Sequence, residues 1–373
     1  MTGFDALVTG AGMVGGYAVE FLARRPEIQR LAVIDIDAAA ARGVAWRARL
    51  GALQEGRSVT VEGFGVDLSD AERARETIGA IAPRVVFHAA TMLTVPEMAR
   101  GLRSEVFARV RADGMGGFLA AHVCLAAKLQ GVLAGMTPRP PLIMACFPDF
   151  TNPILARLGP APITGIGNVD NMACELQAIV AEKLGVSALD VTPMIVAHHS
   201  VGEWFQRSGS AGEAPWFAKV FVDGQDVSER LDLAALMSES AARLRGVGGE
   251  ARTAASAVKA VLAVLRDAGT YLHSAGAHGE PGGRPGRLFA DRLERVAVPG
   301  LDEAKASAIN LAGQRVGGVE AIEADGTIVY TARCAAMMHE LFGLDMQRTA
   351  PADLEPTARK LRAALTKRIL AGG

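Results

Sequence analysis

Apolar and polar positions along the chain alternate between short β-prone runs and longer helix-period stretches. Residues 6–9 form a brief apolar run, followed by glycines and a helical stretch over 14–25. Further apolar runs fall at 31–36, 59–66 and 85–88, separated by helical patterns at 38–50 and 71–81. This order predicts the β-α-β-α-β alternation of a parallel, doubly wound sheet. A helical region over 98–131 follows, interrupted by Gly114, Gly116 and Gly117, and then a buried strand at 141–146. A helix over 171–184 leads into a strand at 191–197 that ends on His198 and His199.

Beyond that strand the pattern changes. Residues 207–214 read as a small-residue polar loop and 276–286 as a Gly/Pro-rich loop. Asp223-Gly224 and Asp325-Gly326 sit between apolar residues in 217–227 and 319–331, which predicts two hairpins. Helices are expected at 231–245, 253–267, 332–342 and 353–370. The expected architecture is α/β: a doubly wound N-terminal domain over 1–165, then an α+β domain over 166–373.

Composition narrows the classes. The chain has 373 residues, half of them hydrophobic and about a fifth charged, which is a globular profile. The formal net charge is -1, so no basic excess points to nucleic acid or to anionic lipid. The four cysteines, Cys124, Cys146, Cys174 and Cys334, include no Cys-x-x-Cys pair and read as reduced thiols. No signal-like N-terminal segment and no apolar run of membrane-spanning length is read from the sequence, so a cytoplasmic location is expected.

The chemistry begins at Gly10-Ala11-Gly12-Met13-Val14-Gly15, a G-x-G-x-x-G that follows the first strand and opens a helix. Gly10 makes the tight turn, Gly12 lets the backbone approach a pyrophosphate, and Gly15 lets helix and strand pack closely. The free N–H groups at the helix start, with Met13 and Val14, favour bound phosphate. Asp35 at the end of the second strand suits the ribose hydroxyls of NAD and repels a 2′-phosphate. Asp37 is the alternative acid, and Arg42 and Arg47 leave NADP open.

Further motifs, in order, resemble the lactate/malate dehydrogenase superfamily. Residues 92–100 resemble its mobile loop, Thr151-Asn152-Pro153 its S/T-N-P, and Asp170 with Asn171 its L-D-x-x-R segment. Residues 182–191 are similar to its helix-to-strand junction, and 195–200 to its histidine motif. The resemblance implies NAD as cofactor and a small hydroxy or keto substrate. It implies His199 as general acid/base, Asp170 as the carboxylate that orients it, and Arg100 as the loop arginine polarising a carbonyl. Asn152 would face both substrate and nicotinamide, Ala89 and Ala90 would border the cofactor, and Thr253 would border the substrate. A homodimer or homotetramer is implied as well. His198 remains the alternative to His199, and Arg103 or Arg109 to Arg100.

Two positions depart from the family. Ala173 stands where an arginine would hold a substrate carboxylate, and Thr94 where the loop's first arginine would stand. Guanidinium–carboxylate recognition is not replaced by alanine or threonine, so a substrate other than lactate or malate is expected. Glu203 and Trp204 suit a cationic, hydroxylated or ring-shaped molecule. Two alternatives are an NAD-dependent glycosidase- or lyase-like enzyme and a catalytically silent dinucleotide-binding protein. The metal-binding glycosidases of similar fold use a cysteine that the segment Gly165-Ile166-Gly167-Asn168 lacks, so no metal is expected. None of Tyr17, Tyr271 or Tyr330 is followed four residues later by lysine, which argues against a short-chain reductase.

Overall fold

The computed structural model describes residues 3–372. Its first half is built from β1 (Ala6–Thr9), α1 (Met13–Ala23), β2 (Arg30–Asp35), α2 (Ala38–Gln54), β3 (Thr60–Gly65), α3 (Ala71–Ile81) and β4 (Val86–His88). Then come α4 (Val95–Gly101), α5 (Ser104–Asp113), α6 (Leu119–Ala134), β5 (Leu142–Met144), α7 (Pro148–Leu158), β6 (Thr164–Gly165) and α8 (Val169–Leu184). The strands pair in parallel in the order β3-β2-β1-β4-β5-β6. The residues of β1, β2, β4 and β5 are largely buried on both faces, which is why these strands read as unbroken apolar runs rather than alternating ones, whereas the edge strand β3 is only partly buried. The order reverses between β1 and β4, and ligands of doubly wound sheets enter the crevice at such a reversal.

The second half continues the same sheet in antiparallel fashion. It comprises β7 (Val191–Ala197), α9 (His199–Ser208), β8 (Trp216–Val222), β9 (Gln225–Asp226), α10 (Leu233–Arg243), α11 (Glu250–Arg266), β10 (Thr270–Ala275), β11 (Gly283–Leu288), β12 (Leu293–Arg295) and α12 (Glu303–Val316). Strand β10 joins β6 at the sheet edge, and the order runs on through β11, β7, β8 and β9. The chain ends with β13 (Val319–Ile322), β14 (Ile328–Tyr330), α13 (Ala332–Phe342), β15 (Arg348–Thr349) and α14 (Leu354–Leu370).

Several expectations change. The segment 276–286 is not one loop, because Gly283–Leu288 pairs with β10 along its whole length. Its glycines and proline masked a strand whose pattern lacks the usual β-branched residues. The helices α9 and α12 were not anticipated. The run Met115–Ala134 is long and apolar enough to cross a membrane, but 72% of that window is buried inside the protein, as a core helix. The boundary at 165 is not a boundary of packing either. Helices α13 and α14 return to the first half, where α14 lies along α6 and α13 against α5. Leu361 and Leu365 of α14 share one hydrophobic core with Leu7, Val86 and Leu129.

The C-terminal helix is therefore held by burial. Leu361→Ala leaves a cavity in this core and should cost about 2–5 kcal/mol. Urea unfolding monitored by circular dichroism should show it, and an unchanged midpoint would mean that α14 is not docked as described.

Candidate active site

The glycine turn has the geometry that its pattern predicts. Gly10 adopts φ 98°, and a Cβ there would lie 2.7 Å from the Ala90 nitrogen. A Cβ on Gly15 would sit 1.8 Å from the Gly10 carbonyl oxygen, while one on Gly12 would meet nothing within 4 Å. The turn is thus closed toward the protein and open toward the cleft. No side chain caps the start of α1, so its first N–H groups remain available to an anion. Asp35 accepts hydrogen bonds from the N–H of Ala11 (2.7 Å) and of Asp37 (2.9 Å), which fixes its carboxylate beside the turn. Asp37 caps α2 through Ala39 and Ala40 and is not the cleft acid.

The cleft encloses about 500 Å³ and is lined by Gly10, Gly12, Asp35, Ala89 and Ala90, among others. Its far wall was not foreseen: Glu355, Arg359 and Arg362 of α14 border it. Lys128 of α6 pairs with Glu355 at 2.7 Å, and Glu355 also holds Arg359. Arg362 donates to the Met92 carbonyl. At the other end of α4, Ile369 packs so tightly on Gly101 that a Cβ there would lie 2.4 Å away. Helix α14 grips both ends of the segment that resembles a mobile loop. Only the tertiary packing of α14 reveals this, since its sequence is an ordinary amphipathic pattern. Thr94 lines the cleft and caps α4 through the Glu97 N–H.

His199 opens α9 at the end of β7. Its Nδ1 lies 3.1 Å from Asn168 Oδ1. Asn168 Nδ2 in turn donates to Asp149 Oδ2, and Asp149 Oδ1 accepts the His199 backbone N–H at 3.0 Å. A carboxylate only accepts, so Asp149 fixes which way the Asn168 amide points. The amide oxygen then faces His199, which places the imidazole proton on Nδ1 and leaves the Nε2 lone pair free. Among the described residues, Nε2 is buried without a hydrogen-bond partner and lies 3.6 Å from Glu203 Oε1. Burial pushes the Asp149 carboxyl above its ordinary range, against the pull of His199 and the two N–H donors.

Backbone strain brackets this cluster. Phe147 sits in the left-handed region (φ 46°, ψ 54°), and Asn168 has φ 46° and ψ -115°. Such positions cost on the order of 1–3 kcal/mol each and persist where the surroundings enforce them. The Phe147 ring packs edge-on against both His199 (5.1 Å) and His122 (4.6 Å). His122 contacts Thr91 Oγ1 at 3.0 Å, and Thr91 lines the cleft. Burial pushes the His122 pKa down to about 3, so it is neutral. A continuous path of contacts thus runs from the cleft to His199.

The other expected residues lie elsewhere. Asp170 does not meet His199. Its Oδ1 accepts from Lys259 (2.6 Å) and the His273 N–H (3.0 Å), and its Oδ2 from Ser256 (2.7 Å). Asp170 falls on the first turn of α8, and there it joins α8 to α11 and β10. Burial alone would raise its pKa, but Lys259, His273 and Ser256 together hold it below the ordinary value. Asn152 lies inside α7, well beyond β5, and is buried with its Nδ2 on the Ala275 carbonyl. It borders neither cavity. Ala173 is core. Arg100 is exposed on the last turn of α4, Arg103 pairs with Glu105, and Arg109 with Asp113 and Glu340. The arginine that reaches the histidine cluster is Arg111 of α5, 2.6 Å from Glu203. His198 is fully buried, packed against Phe150 and Gly313, while the His199 side chain is partly exposed, at 19%.

Beside His199 lies a cavity of about 170 Å³, bordered also by Asn168, Asn171, Glu175, Glu203 and Arg252. Thr253 borders it too, accepting from Asn171 at 3.1 Å. All four cysteines are free, and only Cys174 is exposed. Among the described residues no group of three His, Cys, Asp or Glu is placed to hold a metal ion.

This is a Rossmann-type sheet with a histidine site beyond the carboxyl ends of its strands. It is the fold of the malate and lactate dehydrogenases. Malate dehydrogenase from Aeropyrum pernix superposes with a TM-score of 0.60 at 16% identity, over 84% of this chain and 97% of that one. Malate dehydrogenase from Cryptosporidium parvum gives 0.61 at 15% identity, over 84% and 99%. Lactate dehydrogenase from the same organism, solved with lactic acid and nicotinamide adenine dinucleotide, gives 0.61 at 16%, over 85% and 99%. No protein-family model and no curated protein matches the sequence.

The placement of Asp170 makes a stability prediction with a definite sign. A carboxyl whose folded pKa is lowered contributes stability above its unfolded pKa, near 3.9. That contribution is lost as pH falls through the lowered value. Asp170→Asn should therefore cost about 2–4 kcal/mol at pH 7. The gap to wild type should close below pH ~4, measured by denaturant unfolding across pH. A variant as stable as wild type at pH 7 would contradict the anchoring role.

Proposed function

We propose that the protein is an NAD(H)-dependent oxidoreductase that interconverts a hydroxyl and a keto group on a small molecule other than lactate or malate. The observation that carries this reading is the oriented imidazole of His199, joined to a dinucleotide-type cleft through Phe147, His122 and Thr91. The cleft residues fit the cofactor: Gly10, Gly12 and the start of α1 for the pyrophosphate, and Asp35 for the adenosine ribose. When bound, the dinucleotide supplies hydride transfer to or from carbon.

The protein's own part is the proton. His199 Nε2 takes the proton of a substrate hydroxyl in the oxidation direction and returns it to the carbonyl oxygen in reduction. Asn168, set by Asp149, holds the tautomer that keeps Nε2 available as a base and accepts a hydrogen bond from the Nδ1–H throughout. Glu203 lies 3.6 Å from Nε2, and Arg111 holds Glu203 in place. Asp149 and Asn168 are positioning residues in this scheme, and the aspartate–histidine relay is indirect, through an amide.

His199→Asn should lower kcat by about 10²–10⁴-fold with NADH affinity within about twofold of wild type. The check is NADH absorbance with a panel of hydroxy and keto compounds, alongside calorimetric NADH binding. Unchanged turnover would sink the assignment. Asp35→Ser removes the charge that repels a 2′-phosphate, so the NADPH-to-NADH affinity ratio should rise about tenfold or more. A constant ratio would place the ribose elsewhere.

A further inference from the structure

The dinucleotide-type cleft keeps its acids and its cations on different elements. Its described lining holds three of each. Asp35 ends β2 and Asp67 follows β3, and both accept backbone N–H groups of their own turns. The cations are Lys128 of α6 and Arg359 and Arg362 of α14, and none comes from the glycine turn or from α1. Residues 355, 359 and 362 follow the i, i+4, i+7 spacing of one helix face, beside the face that buries Leu354, Ala358, Leu361 and Leu365. Glu355 is already flanked by Lys128 and Arg359. Arg362 forms an ion pair with no acid among the described residues. Its Nη1 donates to the Met92 carbonyl, which fixes the guanidinium without neutralising it. Met92 lies two residues beyond Ala90, at most about 7 Å along the chain. The Ala90 nitrogen is the atom that a Cβ on Gly10 would strike. An uncompensated positive charge is thus tethered close to the glycine turn, in the same cleft.

We propose that Arg362 is a phosphate-binding residue of the cofactor site, and that α14 completes the site by setting this cation against the pyrophosphate of the dinucleotide. The inference rests on the oxidoreductase reading above and adds to it a residue from outside the sheet and its glycine turn. A pyrophosphate bridge carries two negative charges. The start of α1 answers them with N–H groups and a partial charge of about half an elementary unit. A guanidinium adds a whole charge, and its remaining donors match the non-bridging oxygens of a phosphate. Arg359 is the weaker candidate, because Glu355 already holds it. The tether to Met92 gives Arg362 a fixed place, so that less side-chain freedom is lost when an anion arrives.

The test is the affinity of NADH, and of ADP-ribose, which keeps the pyrophosphate and lacks the nicotinamide. Both are measured by calorimetry at about 50 mM and about 500 mM salt. Arg362 is exposed, so its replacement leaves the core intact. Arg362→Gln should weaken both ligands about tenfold at the lower salt. The gap to wild type should shrink to within about threefold at the higher salt, where an exposed charge is screened. Lys367→Gln removes the same charge further along α14, outside the cleft lining. It should leave both affinities within about twofold of wild type. Wild-type affinity in Arg362→Gln, an equal loss in Lys367→Gln, or a gap that salt leaves unchanged would each overturn the proposal and leave the oxidoreductase reading in place. Failure of wild type to bind NADH and ADP-ribose alike would overturn both.

Discussion

The site depends on one buried carboxylate. Asp149 is fully buried, and its two oxygens are spent on N–H groups from two different elements, the His199 backbone and the Asn168 side chain. Its own carbonyl accepts the Gly282 N–H from the β10–β11 connection. One residue at the start of α7 thus joins the beginning of α8, the junction of β7 and α9, and the hairpin that extends the sheet. A buried acid is costly unless its acceptors are filled. These junctions are therefore held to one geometry, and the left-handed turns at Phe147 and Asn168 persist within it.

Much of the first half was legible because its signals are local. The glycines at 10 and 15 each have a steric reason to be glycine, and Asp35 follows from the length of one β-α-β unit. The apolar runs of a parallel sheet are hard to mistake when helices separate them. The second half was less legible. The Gly/Pro-rich strand β11 has no β-prone composition, and it is held by pairing with β10 rather than by propensity.

The sequence places His199 at the end of β7, as the structure does, but not beside the residues it meets there. Asp170 stands at the right distance along the sequence, but the first turn of α8 points it toward Lys259 and His273. Asn168 reaches His199 only because its backbone is strained, and no sequence pattern predicts that. Asp149 and Arg111 are brought to the site by long-range contacts between α7, α5 and α9. The same holds for α14: what makes it a wall of the cleft is where it docks.

The central claim is that Asp149, through Asn168, sets the protonation of His199. Selective ¹⁵N-histidine NMR of the NADH-loaded protein measures it most directly, with His199 assigned by substitution. The account predicts that neutral His199 carries its proton on Nδ1, and that Asp149→Asn mixes the two tautomers. A wild-type resonance protonated on Nε2, or a tautomer indifferent to Asp149→Asn, would contradict it.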